Sequence, residues 1–225
     1  MTAAEHVDVL HAAFHEIADD ECAGPMAAYM KHRFAFFGVA AGPWRGAQRP
    51  FVRSLRDADV DEVLDTARLC WEQPVREFLY TASDLLRAHA SRLGGEHLID
   101  IEGLIRTKSW WDTVDLLAAH VVGPIVSSDR QLALVMDRWI DDDDIWIART
   151  AILHQLTYRD RTDVDRLFRY VDRRSGDTEF FVRKASGWAL REYAKTDPDE
   201  VLAHIDRHED ELSGLSKREA LKHLR

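Results

Sequence analysis

The chain has 225 residues, of which 46% are hydrophobic, and this content is sufficient for a substantial folded core. Its formal net charge of −10 argues against non-specific binding of anionic polymers by the molecule as a whole, so a nucleic-acid-binding protein of this composition would need a segregated basic face. The two cysteines, Cys22 and Cys70, lack the spacing of zinc ligands or of a disulfide framework, and both are predicted to be buried thiols.

The N-terminal segment lacks the basic and then apolar pattern of a signal peptide. No run of about 18 apolar residues predicts a membrane span. We therefore expect a cytoplasmic protein that has no membrane partner.

Apolar residues recur with a helical period along nearly the whole chain, and no alternating run of β-branched residues predicts a strand. The predicted fold class is all-α. Helices are predicted over residues 4–18, 23–34, 60–71, 74–91, 96–106, 109–121, 129–139, 144–157, 162–173, 179–195, 198–208 and 216–224. Glycine and proline interrupt the pattern at Gly38, Gly42, Pro43, Gly46 and Pro50, so residues 37–54 are predicted to form a loop that contains at most a short helical turn.

Four of the predicted helices contain similar segments about 36 residues apart, which is the spacing of helix-pair repeats. The segments begin at Pro74, Trp110, Ile145 and Phe181. This spacing predicts a superhelical array of antiparallel helix pairs, an α-solenoid, that forms a single domain over residues 1–225. The second helices of the pairs would line its concave face and present the following side chains: Asp115, Arg149, Lys184 and Trp188.

Four consecutive aspartates at positions 141–144 precede the third of these segments. They are predicted to form an inter-helix turn and a helix N-cap, where negative charge is favourable. A metal site is the alternative, but four consecutive acids cannot all converge on one ion, and no histidine or cysteine stands nearby. We expect neither a metal nor a cofactor.

The predicted helix at 109–121 has the least ordinary composition in the chain. Ser109 is predicted to be its N-cap, and Trp111 and Asp115 are i, i+4 neighbours on one face, while Trp110 points elsewhere and is predicted to anchor the core. A carboxylate one turn from an aromatic face suits a site where positive charge is bound or develops. The alternative is that both tryptophans belong to the core and that Asp115 is a solvated helix acid.

Basic residues concentrate on the predicted second helices and their turns, whereas the first helices carry acids. This asymmetry predicts a basic groove on an acidic body, in which cations neutralise phosphates and aromatic rings contact sugar or base. The alternative is a set of ordinary surface ion pairs. The basic residues concerned are Arg106, Lys108, Arg149, Arg159, Arg161, Arg183, Lys184, Arg191 and Lys195, followed by Lys217, Arg218, Lys222 and Arg225 at the end of the chain.

Five segments, in order along the whole chain, resemble the AlkD family of alkylpurine DNA glycosylases. They are Pro25-Met-Ala-Ala-Tyr29-Met-Lys-His-Arg-Phe34, Lys108-Ser-Trp-Trp-Asp-Thr-Val-Asp115, Ile145-Trp-Ile-Ala-Arg149-Thr-Ala-Ile-Leu153, Phe180-Phe-Val-Arg-Lys-Ala-Ser-Gly-Trp188-Ala-Leu-Arg-Glu-Tyr-Ala-Lys195 and Leu215-Ser-Lys-Arg-Glu-Ala-Leu-Lys-His223. The segment from Gly38 to Pro50 keeps little of the family's pattern, so the resemblance does not extend to groove contacts near the N-terminal repeats.

The resemblance implies HEAT-like repeats that clasp duplex DNA in a concave face and hydrolyse the N-glycosidic bond of N3- and N7-alkylated purines without flipping the base. It implies that Asp115 is the catalytic carboxylate, that Trp111 and Trp188 lie against the deoxyribose, and that Arg149 lies beside the DNA backbone. Tyr29 matches a position that lines the same groove, and Lys108, Lys184 and Arg191 are expected to bind phosphates.

Since the alkylated purine is already a cationic leaving group, the protein need only stabilise the sugar cation and orient water. We expect a monofunctional and monomeric enzyme that works on alkylated double-stranded DNA and associates with the nucleoid when bound. The alternatives are a HEAT-repeat scaffold without catalysis and a DNA-structure-binding protein, and neither of these needs Asp115.

Overall fold

The computed structural model describes residues 1–224, so the predicted basic residue Arg225 lies outside the described residues. The described residues fold into two compact units, Met1–Leu93 and a second unit that begins at Gly94. The all-α prediction is confirmed, because no strand forms within these residues. The described residues contain an isolated β-bridge between Ala35 and Val75. None of the described helices is both long enough and apolar enough to cross a bilayer.

The first unit contains five helices around a core that includes Phe14, Leu64, Phe78 and Leu85. Helix α4 packs against α5 and α1, and α3 packs against α1 and α5. The helices are α1 (Ala3–Glu16), α2 (Asp20–Tyr29), α3 (Ala41–Ser54), α4 (Val60–Glu72) and α5 (Arg76–Ala88). Cys70 is buried in α4 and Cys22 is half-buried in α2, and both are free thiols.

Helix α3 contradicts the prediction that residues 37–54 form a loop. Pro43 falls in its first turn, where a backbone N–H would have no helical partner in any case. One face of the helix is held by contacts with α5: the Trp44 Nε1 donates to Thr81 Oγ1 over 3.1 Å and the Gln48 Nε2 donates to Asp84 Oδ2 over 2.7 Å. These tertiary contacts outweigh the low helix propensity of glycine and proline.

The second unit contains the remaining helices in the described part of the chain. They are α6 (Leu98–Arg106), α7 (Trp111–Leu117), α8 (Gly123–Ser128), α9 (Ala133–Trp139), α10 (Ile145–Leu153), α11 (Val164–Arg173), α12 (Phe180–Tyr193), α13 (Pro198–Arg207) and α14 (Gly214–Ala220). Within this unit α10 packs against both α7 and α12, and α12 also packs against α14.

The predicted repeat is visible in the order of these helices. The helices predicted to be the second members of each pair begin at Arg76, Trp111, Ile145 and Phe180, a spacing of about 35 residues that is close to the predicted one. The three of them that belong to the second unit stack side by side, as the packing of α10 between α7 and α12 shows. Stacked second helices are the arrangement that an α-solenoid requires.

The acidic run 141–144 forms the predicted turn and cap. Asp144 caps α10, because its Oδ1 accepts from the Trp146 N–H over 2.9 Å. Asp142 accepts from Arg106 Nη2 on α6 over 2.6 Å, and Asp141 pairs with Arg173 on α11. The run therefore also links successive repeats by ion pairs.

The helix predicted at 109–121 begins two residues later than expected and is not regular. Ser109 is not its N-cap, because the Ser109 hydroxyl instead donates to the Ile105 carbonyl at the end of α6. After α7, a π-helical turn over Ala118–Val122 leads directly into α8. The extra residue of a π turn shifts the face that the following helix presents, so α7 and α8 are separate elements.

Candidate active site

Asp115 on α7 and Arg149 on α10 form a two-pronged ion pair. Nε of Arg149 donates to Oδ1 of Asp115 over 2.7 Å, and Nη2 donates to Oδ2 over 2.8 Å. The remaining terminal nitrogen of Arg149, Nη1, donates to the backbone carbonyl of Phe181 on α12. The arginine side chain is 3% exposed and that of Asp115 is 14% exposed. Three adjacent helices thus fix the orientation of one carboxylate.

The electrostatics of this pair combine two opposing effects. Burial raises the pKa of the Asp115 carboxyl above its usual value, while the hydrogen bonds and charge of Arg149 and the charge of Lys184 oppose that shift. The two charge-assisted hydrogen bonds from Arg149 favour the ionised form of the Asp115 carboxyl. In that form Asp115 places a negative charge at the edge of a low-dielectric region, where it acts strongly on a nearby cation.

An aromatic cluster lies beside the ion pair. The ring of Phe181 is 4.9 Å from that of Trp110 and 5.0 Å from that of Trp146, and the guanidinium carbon of Arg149 is 5.9 Å from the Phe181 ring centre. Trp110 is buried, which confirms its predicted place in the core. Because aromatic rings pack tightly, the contact of Phe181 with the Arg149 guanidinium limits the space in which that side chain can move.

The two indoles predicted to face the substrate are only half-buried. Trp111 is the first residue of α7 and lies one turn before Asp115 on the same face. Trp188 lies one turn after Lys184 on α12, and the charge of Lys184 acts on Asp115. Of the predicted site residues in the second unit, Arg149 and Lys184 thus act on the Asp115 carboxylate, and Trp111 lies one turn from it on the same helix.

Other predicted contacts are distributed differently. Tyr29 belongs to the first unit, where its 68% exposed side chain borders an apolar pocket that Met26, Trp44 and Tyr80 also line. Lys108 is exposed in the turn before α7 with a positive φ of 52°. The Nζ of Lys184 lies 5.6 Å from the ring centre of Phe180.

Arg149 and Arg191 differ from their prediction as phosphate-binding cations. Arg149 is buried against Asp115, and Arg191 donates to Glu219 on α14 over 2.7 Å with its side chain 17% exposed. Lys195, another member of the predicted basic stripe, pairs with Glu192. The acidic partners of both arginines come from neighbouring helices about 30 residues away in sequence, so the local sequence pattern did not show them.

The first unit carries a basic surface that the sequence pattern did not indicate. Arg45, Arg49 and Arg53 recur at i, i+4 and i+8 on α3, and Arg56 follows the helix. All four are exposed, and none of them has an acidic partner among the described side chains. We call these four residues the α3 arginine stripe. Arg87 and Arg92 line the same surface depression, Arg87 in an ion pair with Asp84. The four-residue spacing was present in the sequence but lay in the segment assigned to a loop.

Stacked helix pairs with a fixed carboxylate on their second helices define a helical-repeat protein with an enzyme-like site. The chain belongs to the DNA alkylation repair enzyme family, whose family model matches residues 10–224. Membership gives the general function, the repair of alkylation damage in DNA. The resemblance to AlkD proteins that the sequence indicated is thereby confirmed.

Solved structures agree with this assignment. The chain is similar to a protein described as a predicted DNA alkylation repair enzyme from Enterococcus faecalis, with 28% identity, a TM-score of 0.85, and coverage of 92% of this chain and 96% of that chain. It shares its fold with AlkD2 from Streptococcus mutans, with 18% identity, a TM-score of 0.64, and coverage of 80% of this chain and 89% of that chain. No curated protein sequence matches the chain significantly.

Proposed function

We propose that this protein is a monofunctional DNA glycosylase that hydrolyses the N-glycosidic bond of N3- and N7-alkylated purines in duplex DNA. The observation that carries the proposal is the Asp115 carboxylate, which Arg149 holds in a fixed orientation one turn from the half-buried Trp111. A structural ion pair has no need of an adjacent accessible indole. A site for a transient sugar cation uses both groups.

The chemistry follows from the charge of the substrate. As the bond between C1′ and the purine nitrogen breaks, its electron pair neutralises the cationic base, and positive charge develops on the deoxyribose. Asp115 stabilises that charge, and the faces of Trp111 and Trp188 contribute through their ring quadrupoles. Water then bonds to C1′ and gives up a proton, which completes hydrolysis without a cofactor or an amine nucleophile. The proposal that the base stays in the duplex rests on the AlkD resemblance.

Arg149 has a positioning role in this proposal, which replaces the phosphate contact that the sequence suggested. Its two bonds to Asp115 keep the carboxylate ionised and stop it from rotating towards another donor. Preorganised charge of this kind does not have to reorient as the transition state forms.

The α3 arginine stripe is the proposed source of much of the attraction for DNA. A chain with a net charge of −10 needs unpaired cations grouped on one surface to bind phosphates, and Arg45, Arg49, Arg53 and Arg56 provide them. Lys108 and Lys184 are proposed to add contacts in the second unit, and Tyr29 is proposed to contact the duplex from the first.

Release of free purine from a methylated duplex tests the proposal directly. Asp115→Asn should lower the single-turnover rate by about 10²–10³-fold, the usual effect of losing one preorganised charge. Asp112→Asn is the matched control, because it removes the same charge from the first turn of the same helix, and it should retain most of the activity.

Trp111→Ala and Trp188→Ala should each weaken lesion processing by about 1–3 kcal/mol while the protein remains folded. A wild-type protein that binds the methylated duplex but releases no purine would instead be a DNA-structure-binding protein. Equal rate reductions in the Asp115 and Asp112 variants would remove the carboxylate from the mechanism.

A further inference from the structure

A cluster of Asp172, His204 and His208 lies apart from the residues used in the proposed mechanism. Asp172 is on α11, His204 is on α13, and His208 follows the last residue of α13. One potential ligand atom from each residue lies within 4.8 Å of the other two. His204 and His208 are i, i+4 neighbours, so they project from the same side of the helix.

The contact between Asp172 and His204 is not an ordinary hydrogen bond. Oδ1 of Asp172 and Nε2 of His204 are 2.9 Å apart, yet both are buried and neither has a hydrogen-bond partner of acceptable geometry among the described atoms. His204 itself is 1% exposed. A buried nitrogen and a buried oxygen that lie this close without a well-formed hydrogen bond between them are rare in folded proteins without a structural or functional reason.

The surrounding side chains hold both histidines in this orientation. The Phe168 ring stacks on His204 with a centroid distance of 4.0 Å and an angle of 9° between the planes. Nδ1 of His208 lies 3.4 Å from Oε2 of Glu211, while its Nε2 lies 3.8 Å from Oδ2 of Asp172. A carboxylate on one ring nitrogen, with the other nitrogen directed inward, is the common arrangement around metal-binding histidines.

We propose that Asp172, His204 and His208 bind a divalent transition metal ion of the zinc type. Two imidazole nitrogens and one carboxylate oxygen suit zinc, whereas calcium and magnesium prefer oxygen ligands throughout. A water molecule completes the fourth position. The ion cross-links α11 to α13, which are joined in sequence only through α12, and it thereby stabilises the second unit. This site is independent of the proposed glycosylase activity, and it replaces the expectation that the chain binds no metal.

The test is calorimetric titration of the metal-free full-length protein with zinc chloride, repeated with magnesium chloride. We expect one equivalent of zinc to bind and magnesium not to bind. Zinc should also raise the temperature of thermal unfolding, because a ligand that binds only the folded state stabilises it. Cobalt(II) in place of zinc should give the visible absorption of a low-coordinate nitrogen and oxygen site.

Variants locate the site. His208→Ala and Asp172→Asn should each weaken zinc binding by at least about 10-fold, and Glu211→Gln should weaken it by about the 10–100-fold typical of removing an outer partner. His15→Ala is the matched control, because His11 and His15 also form an i, i+4 pair, with ring centres 6.4 Å apart, but belong to no three-ligand group in the described structure.

Two results would overturn the proposal: the absence of a one-equivalent zinc transition, and an equal reduction of affinity in His15→Ala. His208 is part-exposed, so His208→Ala should remain folded, and circular dichroism of each variant checks this. If Asp172→Asn fails to fold, His208→Ala and Glu211→Gln decide the question.

Discussion

Asp115 and Arg149 form a buried ion pair, in which the charge of each residue is compensated mainly by the other. Removal of one partner from such a pair leaves the other charge without compensation and typically costs about 3–5 kcal/mol, whereas replacement of both by neutral groups is often close to neutral. A double substitution at this pair can therefore separate the effect on stability from the effect on catalysis, whereas any single substitution affects both.

Arg149→Met should destabilise the protein by about 3–5 kcal/mol, because it leaves the Asp115 carboxylate buried and unpaired. The double variant Asp115→Asn with Arg149→Met should recover most of that stability. Its rate of purine release should nevertheless stay about 10²–10³-fold below that of the wild type. Urea unfolding and single-turnover excision measure the two quantities. A double variant with restored excision would show that the carboxylate charge is unnecessary.

At the scale of single residues, the sequence predicted the local spacing of side chains better than it predicted the partners of the charged ones. Asp115 beside Trp111 followed from helical spacing alone, since i, i+4 geometry is local. The partners of Arg149 and Arg191 could not be predicted in the same way, because Asp115 and Glu219 approach them only when distant helices pack.

The π turn after α7 is fixed by close packing at Gly123. A Cβ placed on Gly123 would lie 2.3 Å from the backbone oxygen of His154, and the Tyr158 hydroxyl donates to the Gly123 carbonyl over 2.7 Å. The end of α10 therefore determines where the α7 segment can leave regular helical geometry.

Gly123→Ala should destabilise the protein by about 1–3 kcal/mol, the usual cost of an overpacked contact. Gly103→Ala on α6 is the control, because a Cβ there meets no atom within 4 Å. That change should be neutral or should stabilise the protein by about 0.5–1 kcal/mol through the better helix propensity of alanine. Urea unfolding of both variants is the measurement, and equal effects would contradict the proposed role of the close contact.

The α3 arginine stripe should determine how strongly duplex binding depends on salt concentration. Replacement of Arg45, Arg49 and Arg53 by alanine should weaken duplex binding and lower the slope of log K against log salt by about 0.9 for each phosphate that is no longer neutralised. Arg173→Ala is the control, because this exposed arginine already pairs with Asp141. Fluorescence anisotropy with undamaged duplex at several salt concentrations gives the slopes. An unchanged slope in the triple variant would exclude the stripe as a phosphate-binding surface.

At the scale of elements, helical periodicity predicted most helices but failed at α3. The periodic residues Trp44, Gln48, Phe51 and Leu55 lie on the face that packs into the first unit. Helix propensity gave more weight to the glycines and prolines between these residues, and propensity takes no account of hydrogen bonds to α5. The π turn after α7 could not be predicted from the periodicity either, because it depends on the packing of Gly123 against the end of α10.

For the molecule as a whole, stability should depend on pH through histidines that fold in the neutral form. Burial lowers the pKa of His154 to about 4 from an ordinary value near 6.5. Burial also lowers the pKa of His89, in the same direction. The unfolded chain therefore binds more protons than the folded chain between these values, and stability rises with pH.

The contribution of neutral His154 to the free energy of unfolding should be fully present above about pH 6.5. It should be lost as the pH falls towards 4, and the whole loss should be roughly 3 kcal/mol. His154→Gln should flatten the dependence of the unfolding free energy on pH between 7 and 4.5. Urea unfolding at a series of pH values measures it, with His32→Gln as the control because His32 is exposed. A wild-type protein equally stable at pH 4.5 and 7 would contradict the prediction.

The two free cysteines have a consequence for a protein that repairs alkylation damage. Burial raises the pKa of the Cys70 thiol to about 12, and a hydrogen bond with Asp19 raises the pKa of the Cys22 thiol. Because the thiolate is the reactive form of cysteine, both side chains are poor nucleophiles at neutral pH. The two cysteines thus offer little target to the electrophiles that alkylate DNA, and their own rate of alkylation is low during the chemical attack that makes repair necessary.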